Sequence, residues 1–368
     1  MRRHPEVVLA AVLTMVALIA VPAAAMDVTP GALFQEPPGL PPGVSCQQVA
    51  QNPEQVLHPP FTSGAMPGSY SCLPNNVAWA NVMSELAMAI APATLHGART
   101  TGLAGWVLSL EATLTSINAA SADKTGTPYW HRAAQNGKPD SILQVYTLNA
   151  RKGLPYGFEI AGVFGYMAST SLLVEGGDLR WAPLEGFRTG TLGHVPDFAI
   201  GAGVRTLTGA PAFSVTTVGI DGEVSKPITV ADSAVVTPYL SVQRIIILAE
   251  SSAVDLTPGV DAMQQCGWRG PNVPANPNGH APYDGLPVCQ NKLSNGAPNS
   301  ADFGNNRTFQ KAQIHRWRGI VGAHYRHEIL SVAGQFAMDI TDPGAENANL
   351  GVSGDRQWSV SLAAGLAF

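Results

Sequence analysis

The sequence predicts an all-β chain: a closed antiparallel transmembrane β-barrel of about ten strands, behind a short N-terminal segment that is helical and irregular. Three observations carry that expectation. The last eleven residues alternate strictly, with Phe368, Leu366, Ala364, Leu362, Val360 and Trp358 on one face and Ala367, Gly365, Ala363, Ser361 and Ser359 on the other. Side chains on a strand alternate with period two, so this strand has a greasy side and a small or hydroxylated side. Only 13% of residues are charged, against 45% apolar and 38 Gly, roughly half the usual charged share. Beyond the N-terminus, no window offers the run of about 18 apolar residues that a membrane helix needs. A barrel meets both conditions, because each of its strands mixes lipid-facing with lumen-facing residues.

The ending Trp358-Ser-Val-Ser-Leu-Ala-Ala-Gly-Leu-Ala-Phe368 resembles the final strand of Gram-negative outer-membrane β-barrel proteins. A tilted strand of about ten residues crosses a bilayer, and aromatic residues favour its two interfaces. The resemblance implies an outer-membrane location, lipid as surroundings, and recognition by the barrel-assembly machinery through Phe368, Leu366 and Trp358. It covers residues 98–368 at the level of architecture. The N-terminal segment is more weakly similar to the plugged barrels of the long-chain fatty-acid channel family, although that family's Asn-Pro-Ala signature is missing.

In chain order, residues 1–25 carry Arg2 and Arg3, an apolar run from Val7 to Val21, and Pro22-Ala-Ala-Ala25 before Met26. That is the layout of a cleaved secretory signal peptide. Its removal moves the formal net charge from -5 to -6, which recommends no nucleic-acid partner. Export places the four cysteines in an oxidising compartment. Four Cys allow three pairings, and proximity in sequence suggests Cys46 with Cys72 and Cys266 with Cys289. No CxxC spacing or His pair supports a metal, and no cofactor is expected. Residues 26–97 form a disulfide-clipped segment whose first part, Asp27 to Pro74, is rich in Pro, Gly, Gln and Asn and reads as irregular. From 75 to 90, Val77, Val82, Met83, Leu86 and Ile90 recur near helical spacing, Asn75 or Asn76 can cap, and Pro92 stops the run. This helix covers the periplasmic rim or plugs the barrel; its place directly before the first strand favours the plug.

From Gly102 the period is two. Trp106 to Thr115 gives the first strand; Ser141 to Ala150 turns through Arg151-Lys-Gly-Leu-Pro155 into a third strand bearing Phe158, Ile160, Phe164 and Tyr166. Leu179 to Leu184, Phe198 to Leu207 and Ser214 to Ser225 follow, parted by turn-forming clusters. Val235 to Ala249 is the seventh. Arg244 falls there among Leu240, Val242, Ile246 and Leu248, which a bulge turning it inward would resolve. Residues 251–308 read as one long extracellular loop, at home in an outer-membrane barrel and out of place in a compact soluble domain. Phe309 to Tyr325, Glu328 to Ile340 and the final strand complete ten; a missed or merged hairpin would give eight or twelve. An even count returns the C-terminus to the side where the first strand began, as antiparallel closure demands when both ends stay periplasmic.

With the apolar set facing lipid, parity places Glu111, Glu159, Arg180, Arg205, Asp221, Glu223, Arg316, Arg318, Gln335 and Asp339 in the lumen. Enclosed charges of both signs are tolerated when paired or hydrated. They form either a polar constriction that selects solutes or a filled interior of ion pairs, and ten strands leave little room to spare. The primary expectation is passive passage of small molecules across the outer membrane. The alternative is a non-conducting structural or surface-interaction barrel, and the third reading is a barrel enzyme. His315, His324 and His327 do not converge by parity, and no Asp-x-His pair, Gly-x-Ser-x-Gly elbow or His-Glu-x-x-His helix is present, so no catalytic residue is assigned.

Overall fold

A computed structural model describes residues 27–35, 73–120, 128–134, 137–184, 195–231, 234–255, 266–268, 287–289 and 306–368. Ten strands form the wall: β1 Trp106–Ser116, β2 Ile142–Gly153, β3 Phe158–Met167, β4 Leu173–Trp181, β5 Asp197–Thr208, β6 Phe213–Ser225, β7 Ala234–Ser251, β8 Ala312–His327, β9 Leu330–Asp339 and β10 Trp358–Ala367. Each pairs with the next, and β10 returns to β1 in an antiparallel ladder from Ala367↔Val107 to Ser359↔Thr115. The sheet is therefore closed. A short extra strand, Ile228–Ala231, pairs with the start of β7. Among the described residues no helix is long and apolar enough to cross a membrane; the crossing elements are strands, whose backbone groups are satisfied by their neighbours all round the ring.

The near rim is where β1 begins and β10 ends. There Trp106 and Phe368 exchange both backbone hydrogen bonds, at 3.1 and 2.8 Å. At the opposite, far rim β1, β3, β5, β7 and β9 end and β2, β4, β6, β8 and β10 begin. Burial is inverted relative to a soluble protein. Leu108, Leu110, Ile160, Phe164, Leu179, Ile200, Ile220, Leu240 and Val321 are exposed on the outer face, while Glu159, Arg180, Arg205, Glu223, Arg316 and Asp339 are buried on the inner one. Aromatic rings mark both ends of the apolar band. Trp106, Phe158 stacked on Trp181, and Phe198 lie at the near rim; Tyr146 beside Tyr166, and Trp358, lie toward the far one.

The fourth strand departs from the expected Leu179 to Leu184. It begins at Leu173 and ends at Trp181, because Gly176-Gly177-Asp178, which reads as a turn, is strand. A side chain at Gly176 would collide first with the Val204 carbonyl of the neighbouring strand and then with Arg205, whose guanidinium donates to Gly177 O at 3.2 Å. The bulge expected at Arg244 is also absent. The register from Ala234↔His327 to Ala249↔Ala312 is unbroken, and Arg244 stays on the outer face, its guanidinium 5.1 Å from the Trp317 ring centroid. Cation–π contact gives an interfacial arginine a partner without rotating it inward.

The helix, α1, spans Asn76–Ala89 and belongs with the barrel in one compact unit, together with Asp27 and Val28. Asp27 accepts hydrogen bonds from Ser171 N (2.8 Å) and Ser171 Oγ (3.2 Å), and Val28 bridges to Ala134; both partners are far-rim loop residues. The even count returns Phe368 to the rim where β1 begins, as expected; Asp27, ahead of the internal segment, sits at the opposite rim. Residues 29–75 and 251–310 form a second unit, described by itself. In it Phe34–Gln35 pairs with Leu73–Pro74, Val254–Asp255 with Asn306–Arg307, and Cys266–Trp268 with Pro287–Cys289, setting Cys266 opposite Cys289 in the ladder. The signal-peptide region, Cys46 and Cys72 lie outside the described residues.

Candidate functional site: a lumen shared by arginines and the N-terminal segment

The segment from Asn76 to Thr101 runs down the inside of the wall from the far rim to the near one. Small residues suit α1 to a narrow cylinder: Ala78, Ala80, Ala87 and Ala89 leave slim turns, and every residue from Ala78 to Ala89 is buried. This is a helix enclosed on all sides, not an amphipathic one. The wall makes room in turn. A side chain at Gly203 or Gly219 would press on Pro92, 2.8 Å and 3.3 Å away respectively.

In the far half the helix and the turn after it are stitched to three strands, β6, β7 and β8, and to two loops. Asn81 donates to Gly351 O (3.1 Å) and accepts from Ser353 N (2.7 Å), both in the β9–β10 loop. Arg316 of β8 donates to Ser84 Oγ (3.1 Å), to Gln357 and to Asp339. Gln357 in turn donates from its backbone to Asp339 Oδ2 and from its side chain to Ser116 O, each at 2.8 Å. At the helix end, Thr217 donates to Ala87 O (3.3 Å), while Gln243 (3.2 Å) and Arg318 donate to Pro92 O; Gln243 also accepts from Arg318 Nε at 2.7 Å. These side chains satisfy carbonyls that a helix terminus and the turn after it leave orphaned, and they bring a cation to the negative end of the dipole.

Glu85 faces the β1–β2 loop, accepting from Trp130 Nε1 (2.7 Å) and Asn118 N (2.9 Å). Burial pushes its carboxyl up to about 7, against the opposing pull of those two donors and of Arg316. Trp130, which reads from sequence as loop packing, lies on a short helix, Tyr129–Ala133, and is fully buried.

The near half is organised around ion pairs on the wall. Arg180 meets Glu223 at 3.1 Å and Asp221 at 3.5 Å; Arg205 grips Asp178 through two 2.8 Å hydrogen bonds. Glu159 accepts from Thr101 N (2.8 Å), lies 3.5 Å from His96 and is 3.6 Å from Arg151. Burial first, then the charges of Arg151 and Arg180, hold His96 well below its usual range, so its approach to Glu159 is a neutral contact. Ser225 accepts from Ala98 N at 2.9 Å, and Arg99 pairs with Asp197 at 2.6 Å. Glu111 accepts from Ser109 and Thr147 (3.3 and 3.4 Å), and Gln335 from Tyr239 (3.3 Å).

What space remains is unevenly shared. Mid-lumen, among His96, Glu159, Arg180 and Asp221, it amounts to about 30 Å³; at the near rim a cavity of about 270 Å³ opens beside His96, Arg151, His324 and Arg326. Sequence parity missed the residues that tie the ion pairs to the N-terminal segment: Ser84, Glu85, Asp178, Gln243 and Gln357. Gln243 has the same parity as the inward set of β7, and that signal could have found it. The others depend on the helix position, on the misplaced fourth strand or on a loop. Of the three histidines, the backbone N–H of His315 donates to Asn347 (2.8 Å), His324 shares a hydrogen bond with Ser331 Oγ (2.8 Å), and His327 ends β8. No group of three or more metal-ligating side chains occurs among the described residues.

The sequence matches no described protein family and no curated relative. Among solved structures the chain is similar to Ail, the attachment invasion locus protein of Yersinia pestis, at 10% identity and a TM-score of 0.27, covering 72% of this chain and 99% of that one. It is also similar to Neisserial surface protein A (10%, TM-score 0.24, 72% and 97%) and to the outer membrane protein Omp33 of Acinetobacter baumannii (7%, TM-score 0.24, 72% and 98%). At those scores the likenesses carry nothing about activity. The chain's own geometry is a closed ten-stranded antiparallel wall with an apolar outside and a charged inside, the architecture of Gram-negative outer-membrane β-barrels.

Proposed function

We propose that the protein is an outer-membrane barrel held shut by its own N-terminal segment, a non-conducting wall that carries polar loops at its far rim. One observation supports this above all: Arg316 and Arg318, the side chains best placed to line a constriction, are hydrogen-bonded to Ser84 and to Pro92 O of the internal segment. A constriction whose donors are engaged this way has no polar path left to offer a solute. The apolar outer face supports lipid as the surrounding medium. The exposed Phe368, backbone-paired with Trp106, supports recognition of the last strand by the assembly machinery. The cysteine register in the second unit supports a Cys266–Cys289 clip.

Recordings from purified protein in planar bilayers test the reading. The full mature chain is expected to be silent, and a chain lacking residues 76–97 is expected to show discrete conductance steps. Steps from the full chain that change when Arg316 or Glu223 is neutralised would overturn closure and restore passive passage of small solutes. That second reading is favoured by the cavity of about 270 Å³ at the near rim.

A further inference from the structure

We propose that the near-rim cavity is a binding site for a small tetrahedral oxyanion, a phosphate group, held between Arg151 of β2 and Arg326 of β8. The decisive group is Arg151. It is 7% exposed, yet its side chain makes no hydrogen bond among the described residues, and its one ion pair there is the 3.6 Å approach to Glu159. A guanidinium carries five N–H donors in a planar fork. Glu159 answers few of them, because it already accepts from Thr101 N and sits against His96. A buried cation left this short of acceptors is costly unless water or an anion supplies them.

The cavity supplies the place. Its volume, about 270 Å³, lies near the lower end of small-ligand pockets, which begin at roughly 300 Å³. Arg326 lines it from the opposite wall, with only a 3.3 Å bond from Nε to Glu328 O and no carboxylate partner among the described residues. Arg99 lines it from the internal segment, already paired with Asp197. His324 and Ser331, hydrogen-bonded to each other, add a hydroxyl and an imidazole. Three guanidiniums therefore stand against two carboxylates, both behind the lining, and the space left in front of Arg151 and Arg326 is complementary to an anion. Bidentate geometry favours phosphate or its monoesters over halide.

Calorimetric titration of inorganic phosphate into the full mature protein in a non-ionic detergent, at constant ionic strength, tests the site. Saturable binding is expected, with Arg326→Gln weakening it by roughly tenfold or more and Arg244→Gln, on the outer face, leaving it unchanged. Because Arg151 also pairs with the buried Glu159, the exposed Arg326 carries the test. Absence of saturation, equal affinity in Arg326→Gln, or equal weakening by Arg244→Gln would each overturn the proposal. A conductance result of either sign leaves it standing, since the cavity lies below the level at which α1 fills the lumen.

Discussion

Arg316 and Arg151 project from the same inner wall, and both are almost inaccessible, at 2% and 7% exposed. Their surroundings differ completely. Arg316 reaches Ser84, Gln357 and Asp339 through its two terminal nitrogens, whereas Arg151 has a single long ion pair and an open cavity before it. The contrast separates two uses of a buried charge in one barrel. In the far half Arg316 ties a helix to the wall, and at the near rim Arg151 faces an open cavity. The internal segment makes the difference, because its helix fills the far half while the near half holds only the extended chain from Pro92 to Thr101.

The strongest way to break this contrast is to truncate Arg316. Arg316→Ala strands the fully buried Asp339 and is expected to cost about 3–5 kcal/mol, read as a lowered urea midpoint for folding into lipid vesicles. A loss near that expected for Arg151→Ala would mean that the far network is not special.

Glu85 gives a pH handle on the same half. Its carboxyl is raised from 4.5 to about 7 in the folded chain, so folding favours the protonated form. The stability it contributes is complete below about pH 4.5, falls as the pH rises toward 7 and is lost above, a swing on the order of 3 kcal/mol. Thermal unfolding midpoints across that window should decline more steeply for the natural chain than for Glu85→Gln; parallel profiles would refute the assignment.

Smaller effects sharpen the near side. Arg151→Ala breaks no hydrogen bond and should cost about 1 kcal/mol or less in the same vesicle assay. Smaller still, Arg244→Gln removes one interfacial cation–π contact and should move the midpoint by about 0.5–1 kcal/mol.

How much of this was legible beforehand follows from what fixes each feature. The alternation of Trp358 to Phe368 is local, so the last strand and its outward face could be read directly, as could the inward parity of Glu159, Arg180, Arg316 and Asp339. Parity fails where a residue's environment is set across space. Gly176-Gly177 has the composition of a turn, yet it is strand, where the neighbouring strands and Arg205 approach too closely for a side chain. Arg244 looked misplaced until Trp317, 73 residues away, supplied its partner. The apolar spacing of α1 suggested one buried face, whereas its contacts lie on every side; only the closed wall dictates that. The charge pairing was least visible, since Arg316 meets Ser84 across 232 positions and Gln357 across 41.

The placement of Asp27 by the far-rim loops and of Phe368 at the near rim means that the chain passes from one mouth of the cylinder to the other before its first strand begins, so the thread through the ring and the ring itself are one covalent molecule.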